Sequence, residues 1–232
     1  MGGTQSVSFR MDLLLEGAAQ HNADAVLSVT GVCADSRAVR RGEAFFALPG
    51  AHVHGNRFAG DAVARGAAVL VTDMPPDTDP GVPVIVVPDV RAAFAKAAVR
   101  GAGALPDTLV GVTGTNGKTS VVSFVRQIWD YCGLRSASLG TLGVNTGQKS
   151  EGGSLTTPDS LTLAHQLAAL KADGFDHVAI EASSHGLDQR RLDGLAFKAV
   201  GFTNLTRDHL DYHHTFDNYR EAKLRLFREL LA

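Results

Sequence analysis

The feature that most limits what this 232-residue chain can fold into is an apolar run, Val110-Gly-Val-Thr113, that passes directly into Gly114-Thr-Asn-Gly-Lys-Thr-Ser120. Apolar residues followed by small turn formers and then by an amphipathic pattern specify a strand, a loop and a helix in that order. Small residues let backbone N–H groups turn inward around phosphate oxygens, and the helix that follows presents its positive N-terminal end to them. Lys118 adds a mobile positive charge, and Thr119 a hydroxyl that can sit on a magnesium ion bridging the phosphates. The stretch therefore predicts a nucleoside triphosphate site. It departs from the generic phosphate loop at one place, since Val112 stands where a glycine is expected.

The residues on either side organise themselves around that loop. Strand-like runs at 26–30, 45–48, 66–72 and 84–87 alternate with helical stretches at 58–65 and 90–100, the pattern of a small α/β unit. The run Val84-Ile-Val-Val87 is continuously apolar, as in a strand covered on both faces. Small residues and a proline at 101–106 predict a boundary, giving domains over 1–104 and 105–232. In the second domain Val121, Val125, Ile128 and Trp129 define one face of the helix after the loop. Further strands at 137–140, 177–181 and 199–202, with a helix over 160–171, predict a parallel, doubly wound sheet. Such sheets gather ligands at the carboxyl ends of their strands.

Composition removes several function classes. A net charge of −2 carries no clustered basic excess of the kind that counterion-driven nucleic-acid binding requires. No run reaches the roughly 18 apolar residues of a membrane span, and the amino terminus lacks a basic segment followed by an apolar one, so the expectation is a soluble, cytoplasmic protein. Cys33 and Cys132 are the only cysteines and lie outside any C-x-x-C spacing, which indicates neither a disulfide framework nor a zinc site; both are expected in the core.

Three further segments carry chemistry. Glu181 ends an apolar strand downstream of the loop, where an acidic residue can hold magnesium directly or through water. The Ser183-Ser-His-Gly186 run that follows could be read as a hydrolase pair, but adjacent residues rarely point so that one deprotonates the other. Arg207-Asp-His-Leu-Asp-Tyr-His-His214 packs three histidines and two aspartates together. His209 and His213 leave a zinc alternative open, while a magnesium and phosphate role for His209 fits the loop better. On the last helix, Tyr219, Leu226, Phe227 and Leu230 form an apolar stripe that contains Lys223. A lysine there either snorkels to water or is desolvated into a neutral amine able to take up carbon dioxide as a magnesium-binding carbamate.

Taken together, Thr113-Gly-Thr-Asn-Gly-Lys-Thr119, Glu181-Ala-Ser-Ser-His-Gly186, Thr203-Asn-Leu-Thr-Arg-Asp-His-Leu-Asp211 and Tyr219-Arg-Glu-Ala-Lys223 resemble the Mur ligases in order and interval. Val112 is usual in that family. Asp35-Ser-Arg37, Thr156-Thr-Pro158 and Ser183-Ser-His-Gly-Leu-Asp-Gln189 look most like its tripeptide-forming branch. The resemblance implies that Ser36 and the loop Ala51-His52-Val53 contact a uridine nucleotide, and that Thr156, Thr157, Ser183, Gln189 and Arg191 hold the muramoyl-peptide or diphosphate portion. It implies ATP phosphates on Gly114, Thr115, Asn116, Gly117, Lys118, Thr119 and Ser120, and magnesium among Thr119, Glu181, His209 and a carbamylated Lys223. Lys118, Glu181, His209 and Lys223 would be the catalytic set. Leu155 stands where some members have an asparagine, so that contact is not carried over.

The activity so implied is ATP-dependent amide ligation in peptidoglycan synthesis by a monomeric enzyme. A third amino acid, meso-diaminopimelate rather than L-lysine, joins UDP-N-acetylmuramoyl-L-alanyl-D-glutamate through an acyl phosphate. Members are considerably longer and carry a carboxy-terminal domain that selects the amino acid. The present stretch alone is therefore expected to bind nucleotide weakly and not to complete ligation. A folylpolyglutamate synthetase-like ligase is the enzymatic alternative, and a non-catalytic nucleotide-binding module the other; the missing Asn-Lys-x-Asp motif argues against a GTPase.

Overall fold

The computed structural model describes residues 8–15, 27–147, 150–152 and 155–232, which divide between Gly101 and Ala102 into two compact units. Val26, at the start of the first expected strand, lies outside the described residues.

The first unit contains β1 (Phe9–Arg10), α1 (Met11–Leu14), β2 (Ser28–Val29), β3 (Val32–Cys33), β4 (Ala44–Phe46), α2 (Ala59–Ala64), β5 (Val69–Thr72), β6 (Val84–Val86) and α3 (Val90–Ala102). β1 and β2 form an antiparallel pair apart from the main sheet, whose order is β3-β4-β5-β6, all parallel. Two adjacent phenylalanines show how the alternation of a strand builds both layers. Phe45 packs with Ala59 and Ala62 of α2 and with Leu70, while Phe46 meets Phe94 of α3 at 5.2 Å between ring centroids. The expectation that 84–87 is covered on both faces fails at Val86, which is 39% exposed: β6 is an edge strand, with Ile85 and Val87 buried and Val84 partly buried against the core.

The second unit runs β7 (Thr108–Thr113), α4 (Lys118–Tyr131), β8 (Ser136–Gly140), β9 (Gly143–Asn145), β10 (Ser150–Glu151), α5 (Ser160–Ala172), β11 (His177–Glu181), α6 (Ser184–Asp188), β12 (Ala199–Phe202), α7 (Leu210–His213) and α8 (Phe216–Arg228). The sheet order is β10-β9-β8-β11-β7-β12. Its four central and right-hand strands are parallel, and β9 and β10 extend the opposite edge antiparallel. Val112 and Ala179 face Val122 of α4, whereas a side chain on Gly111 would meet Leu226 of α8 and Phe197 at 3.0 Å, so helices cover both faces.

Two expectations change here. Val121, Val125 and Trp129 pack on the sheet, but Ile128 is exposed, because the buried face of α4 is centred on Val122 and Arg126. Arg126 takes its place in that face by pairing with Asp130, which also accepts from Ser136 Oγ at 2.6 Å. Cys33 is buried as expected, whereas Cys132 caps the end of α4 and is exposed. No helix among the described residues is long and apolar enough to cross a membrane.

α5 starts where Asp159 accepts from the backbone N–H groups of Leu161 and Thr162 at 3.1 and 3.0 Å. Removing that cap in Asp159→Ala is expected to cost about 1 kcal/mol in urea unfolding, with Asp159→Asn keeping most of the native stability.

Candidate active site

β7, β8, β11 and β12 end together, and the loops leaving those ends supply nearly every polar residue singled out in the second unit. The phosphate-type loop begins at Gly114, whose φ of 141° and contact with the next strand's loop exclude a side chain: a Cβ would run into Thr203 Oγ1. Gly117 then caps α4 in the left-handed region. Cross-bonds fix the loop to residues 203–206. Thr115 N donates to the Asn204 carbonyl at 2.9 Å, Asn116 N to Asn204 Oδ1 at 3.0 Å, and Thr203 Oγ1 to the Asn116 carbonyl at 2.6 Å. Ser120 lies exposed in the first turn of α4.

Glu181 closes β11 and is 1% exposed. A buried carboxylate requires donors, and this one has three: Thr119 Oγ1 to Oε2 at 3.0 Å, Thr141 N to Oε1 at 2.9 Å, and Thr141 Oγ1 to Oε2 at 3.3 Å. Space for it comes from Gly140, where a Cβ would overlap the carboxylate. The donor set around Thr119 and Glu181 is oxygen throughout, which fits a hard cation such as magnesium. Among the described residues no three His, Cys, Asp or Glu side chains assemble as a metal site, so the zinc alternative for His209 and His213 finds no third ligand.

The two lysines converge from different helices. Lys118 Nζ donates to the Gly114 and Thr115 carbonyls, both at 2.8 Å, and Lys223 Nζ donates to the same Gly114 carbonyl at 2.8 Å. Lys223 does not snorkel; it is 1% exposed, with Nζ 4.4 Å from the centroid of the Tyr219 ring. Burial, then the neighbouring charge of Lys118, lowers its pKa to about 7, and burial also lowers that of Lys118. Tyr219 OH bonds Thr115 Oγ1 at 2.9 Å, so the ring beneath Lys223 also touches the phosphate loop. His209 gathers with this group rather than directly on Glu181: its ring lies 6.2 Å from Tyr219 and 4.8 Å from His185. It occupies the left-handed region, φ 51°, with Asp208 Oδ1 accepting from its backbone N–H at 2.9 Å.

The residues assigned to substrate in this unit form one network. Thr157 Oγ1 donates to the Glu181 carbonyl at 2.9 Å and accepts from Ser183 N at 3.0 Å. Arg191 donates to the Thr157 carbonyl at 2.6 Å and to Gln189 Oε1 at 2.7 Å, and Gln189 Nε2 donates to Tyr212 OH at 3.1 Å. Thr156 Oγ1 lies 3.0 Å from Thr141 Oγ1. A hydrolase pair is absent among these contacts: Ser183 Oγ caps α6 at Gly186 N, and His185 stacks on Tyr212 and His213, with burial lowering its pKa.

In the first unit Ser36 and Val53 line a cleft of about 450 Å³ with Asp35, Arg37, Phe45, Leu48 and Phe58. Asp35 and Arg37 pair at 2.9 Å, while Ala51 and His52 are exposed on the adjoining loop. Sequence reasoning missed Gly140, Thr141 and the Tyr219 hydroxyl. The first two close and follow β8, beside β11 at the carboxyl edge, and the parallel-sheet rule pointed to that edge without naming them.

These features define a nucleotide-binding α/β protein with a phosphate loop facing a buried strand-end carboxylate. The Mur ligase middle domain model matches residues 112–232, and the Mur ligase family catalytic domain model matches residues 28–101. The chain belongs to the Mur ligase family. It is 53% identical over 220 residues to a UDP-N-acetylmuramoyl-L-alanyl-D-glutamate–2,6-diaminopimelate ligase of Bradyrhizobium diazoefficiens, covering 95% of this chain and 45% of the relative. The protein of the same name from Brucella melitensis is 52% identical over 208 residues, covering 88% and 42%. A solved structure of a ligase of that name superposes with a TM-score of 0.83 at 31% identity, again covering 95% and 45%. The chain thus spans less than half the length of these relatives.

Two expected outcomes follow from the geometry. Gly140→Ala should push Glu181 out of its donors and cost about 1–3 kcal/mol, read by urea unfolding and by the displaced carboxylate in a crystal structure. For Lys223 the folded-state pKa of about 7 lies below the ordinary 10.5, so ionisation opposes folding. That cost is absent above pH 10.5, grows as pH falls, and is complete below about 7. Lys223→Met should therefore raise stability most at pH 6 and least at pH 10, measured by denaturation across that range.

Proposed function

We propose that this chain supplies the substrate-binding and ATP-binding parts of a cytoplasmic ligase. The enzyme would join meso-diaminopimelate to UDP-N-acetylmuramoyl-L-alanyl-D-glutamate. Residues 1–104 would take the uridine nucleotide in the cleft beside Ser36, with Ala51, His52 and Val53 on its loop. Residues 105–232 would bind ATP on Gly114 to Ser120. The observation that carries this reading is the phosphate loop whose Lys118 and Thr119 stand at the same sheet edge as the buried Glu181, with Thr119 bonded to that carboxylate. The names of the relatives from Bradyrhizobium and Brucella support the substrate and the amino acid.

In this reading the D-glutamyl side-chain carboxylate attacks the γ-phosphorus of ATP. An O–P bond forms as ADP leaves, and the incoming amine then displaces phosphate from the acyl phosphate. Lys118, now folded onto carbonyls of its own loop, turns its ammonium to the phosphate oxygens. Thr156, Thr157, Ser183, Gln189 and Arg191 orient the carboxylate, so that catalysis is largely positioning and electrostatics. Magnesium held by Thr119, Glu181, His209 and a modified Lys223 would neutralise charge on the phosphates. The Lys223 amine, neutral in part near pH 7, forms an N–C bond to carbon dioxide and releases a proton, leaving the anionic carbamate.

The test is calorimetry of the full-length gene product with UDP-N-acetylmuramoyl-L-alanyl-D-glutamate and with Mg·ATP. Saturable binding of both is expected. Lys118→Ala should weaken the nucleotide at least about tenfold, and Lys223→Ala should lose over about 100-fold in turnover with the ¹³C-carbamate resonance. A folded protein that ignores the uridine nucleotide overturns the substrate assignment, and undiminished turnover in Lys223→Ala overturns the carbamate.

A further inference from the structure

We infer that Thr141 is a positioning residue that couples an anionic group bound at Thr156 to the metal-binding oxygen of Glu181, an inference that rests on the function just proposed. Thr141 Oγ1 lies 3.3 Å from Glu181 Oε2 and 3.0 Å from Thr156 Oγ1. A hydroxyl has one proton, and an ionised carboxylate only accepts. While Thr141 donates to Glu181, Thr156 must donate to Thr141, and neither proton is free. An anion, whether a carboxylate or a phosphate, also only accepts, so to hold one Thr156 turns its proton outward and accepts from Thr141 in exchange. Thr141 then releases Oε2.

Two further observations localise the effect. The backbone N–H of Thr141 holds the other oxygen, Oε1, at 2.9 Å, and the carboxylate fills the space that a side chain on Gly140 would take, so Glu181 stays in place while one lone pair is freed. Thr119 Oγ1, on the phosphate loop, remains bonded to the same Oε2 at 3.0 Å. The oxygen that Thr141 vacates is thus the one beside the hydroxyl proposed to meet magnesium. Substrate on the Thr156 side would in this way prepare the carboxylate for Mg·nucleotide, and the coupling is reciprocal.

The experiment measures Mg·AMP-PNP affinity by calorimetry in the full-length gene product, with and without UDP-N-acetylmuramoyl-L-alanyl-D-glutamate, for the native protein, Thr141→Val and Thr141→Ser. The native protein should bind Mg·AMP-PNP about fivefold or more tightly when the uridine nucleotide is present. Thr141→Val keeps the backbone donor and removes the hydroxyl. It should bind Mg·AMP-PNP without substrate about as tightly as the native protein does with it, and gain nothing further. Thr141→Ser should restore the native coupling. Inorganic phosphate in place of the uridine nucleotide separates the two anion sources: coupling by phosphate alone assigns Thr156 to a phosphoryl group, and its absence to the carboxylate. Unchanged or weaker substrate-free affinity in Thr141→Val overturns the inference, as does coupling equal to native. Failure of the uridine nucleotide to bind at all overturns the proposed substrate, while the substrate-free comparison still decides the role of Thr141.

Discussion

Two side chains that would each carry a full positive charge in water, one at the start of α4 and one within α8, meet on the carbonyl oxygen of Gly114. That convergence is the constraint on which the rest of the second unit depends. It requires α8 to lie against the phosphate loop, a buried path for Lys223 through an apolar stripe, and a loop turned so that a carbonyl rather than an N–H faces the helix. Like charges this close in a partly dry site repel; burial lowers the pKa of both amines, and the charge of Lys118 lowers that of the more buried Lys223 further, which relieves the repulsion. A phosphate chain arriving at the loop would relieve it differently, by drawing Lys118 away.

Opposite this pair stands the buried carboxylate of Glu181. Its cost is met by hydroxyl and backbone donors and not by a bonded ammonium or guanidinium, so a metal would meet no side-chain cation on its oxygens. The same parallel sheet positions both halves. Because β7 and β11 are adjacent and in register, with Glu181 beside Val112, the loop that follows β7 and the acid that ends β11 emerge side by side. Val112 belongs to that register as a core residue, 1% exposed against Val122 and Ala179, so the turn begins at Gly114 instead of two residues earlier. The departure from the generic loop is a strand extended by one more buried pair.

Much of this was legible in the residues. The strand endings at Glu181 and Phe202, the helix opening at Lys118 and the break near residue 101 all carry local signals: apolar runs, small turn formers and an amphipathic period. Less legible were the features set by neighbours distant in sequence. Ile128 has the character of a core residue and faces water, because Arg126 with Asp130 occupies the buried line of α4. Val86 is exposed because, among the described residues, β6 is the edge strand of its sheet. The antiparallel β9 and β10 at the sheet edge carry too few residues for any period to declare them.

The amino-acid sequence by itself determined the alternation of strands and helices, the phosphate loop and the family, because each is written in contiguous residues whose spacing has a direct physical meaning. Only the tertiary structure decided what Lys223 is. Its helical period was compatible with a side chain reaching water, and burial against Tyr219 beside Lys118 makes it instead a desolvated amine with a pKa of about 7. The same holds for Gly140 and Thr141, which no motif distinguishes and which acquire their role from a carboxylate forty residues away. Desolvation and hydrogen-bond partnership are properties of the assembled neighbourhood, and the neighbourhood exists only once the sheet has brought its carboxyl ends together.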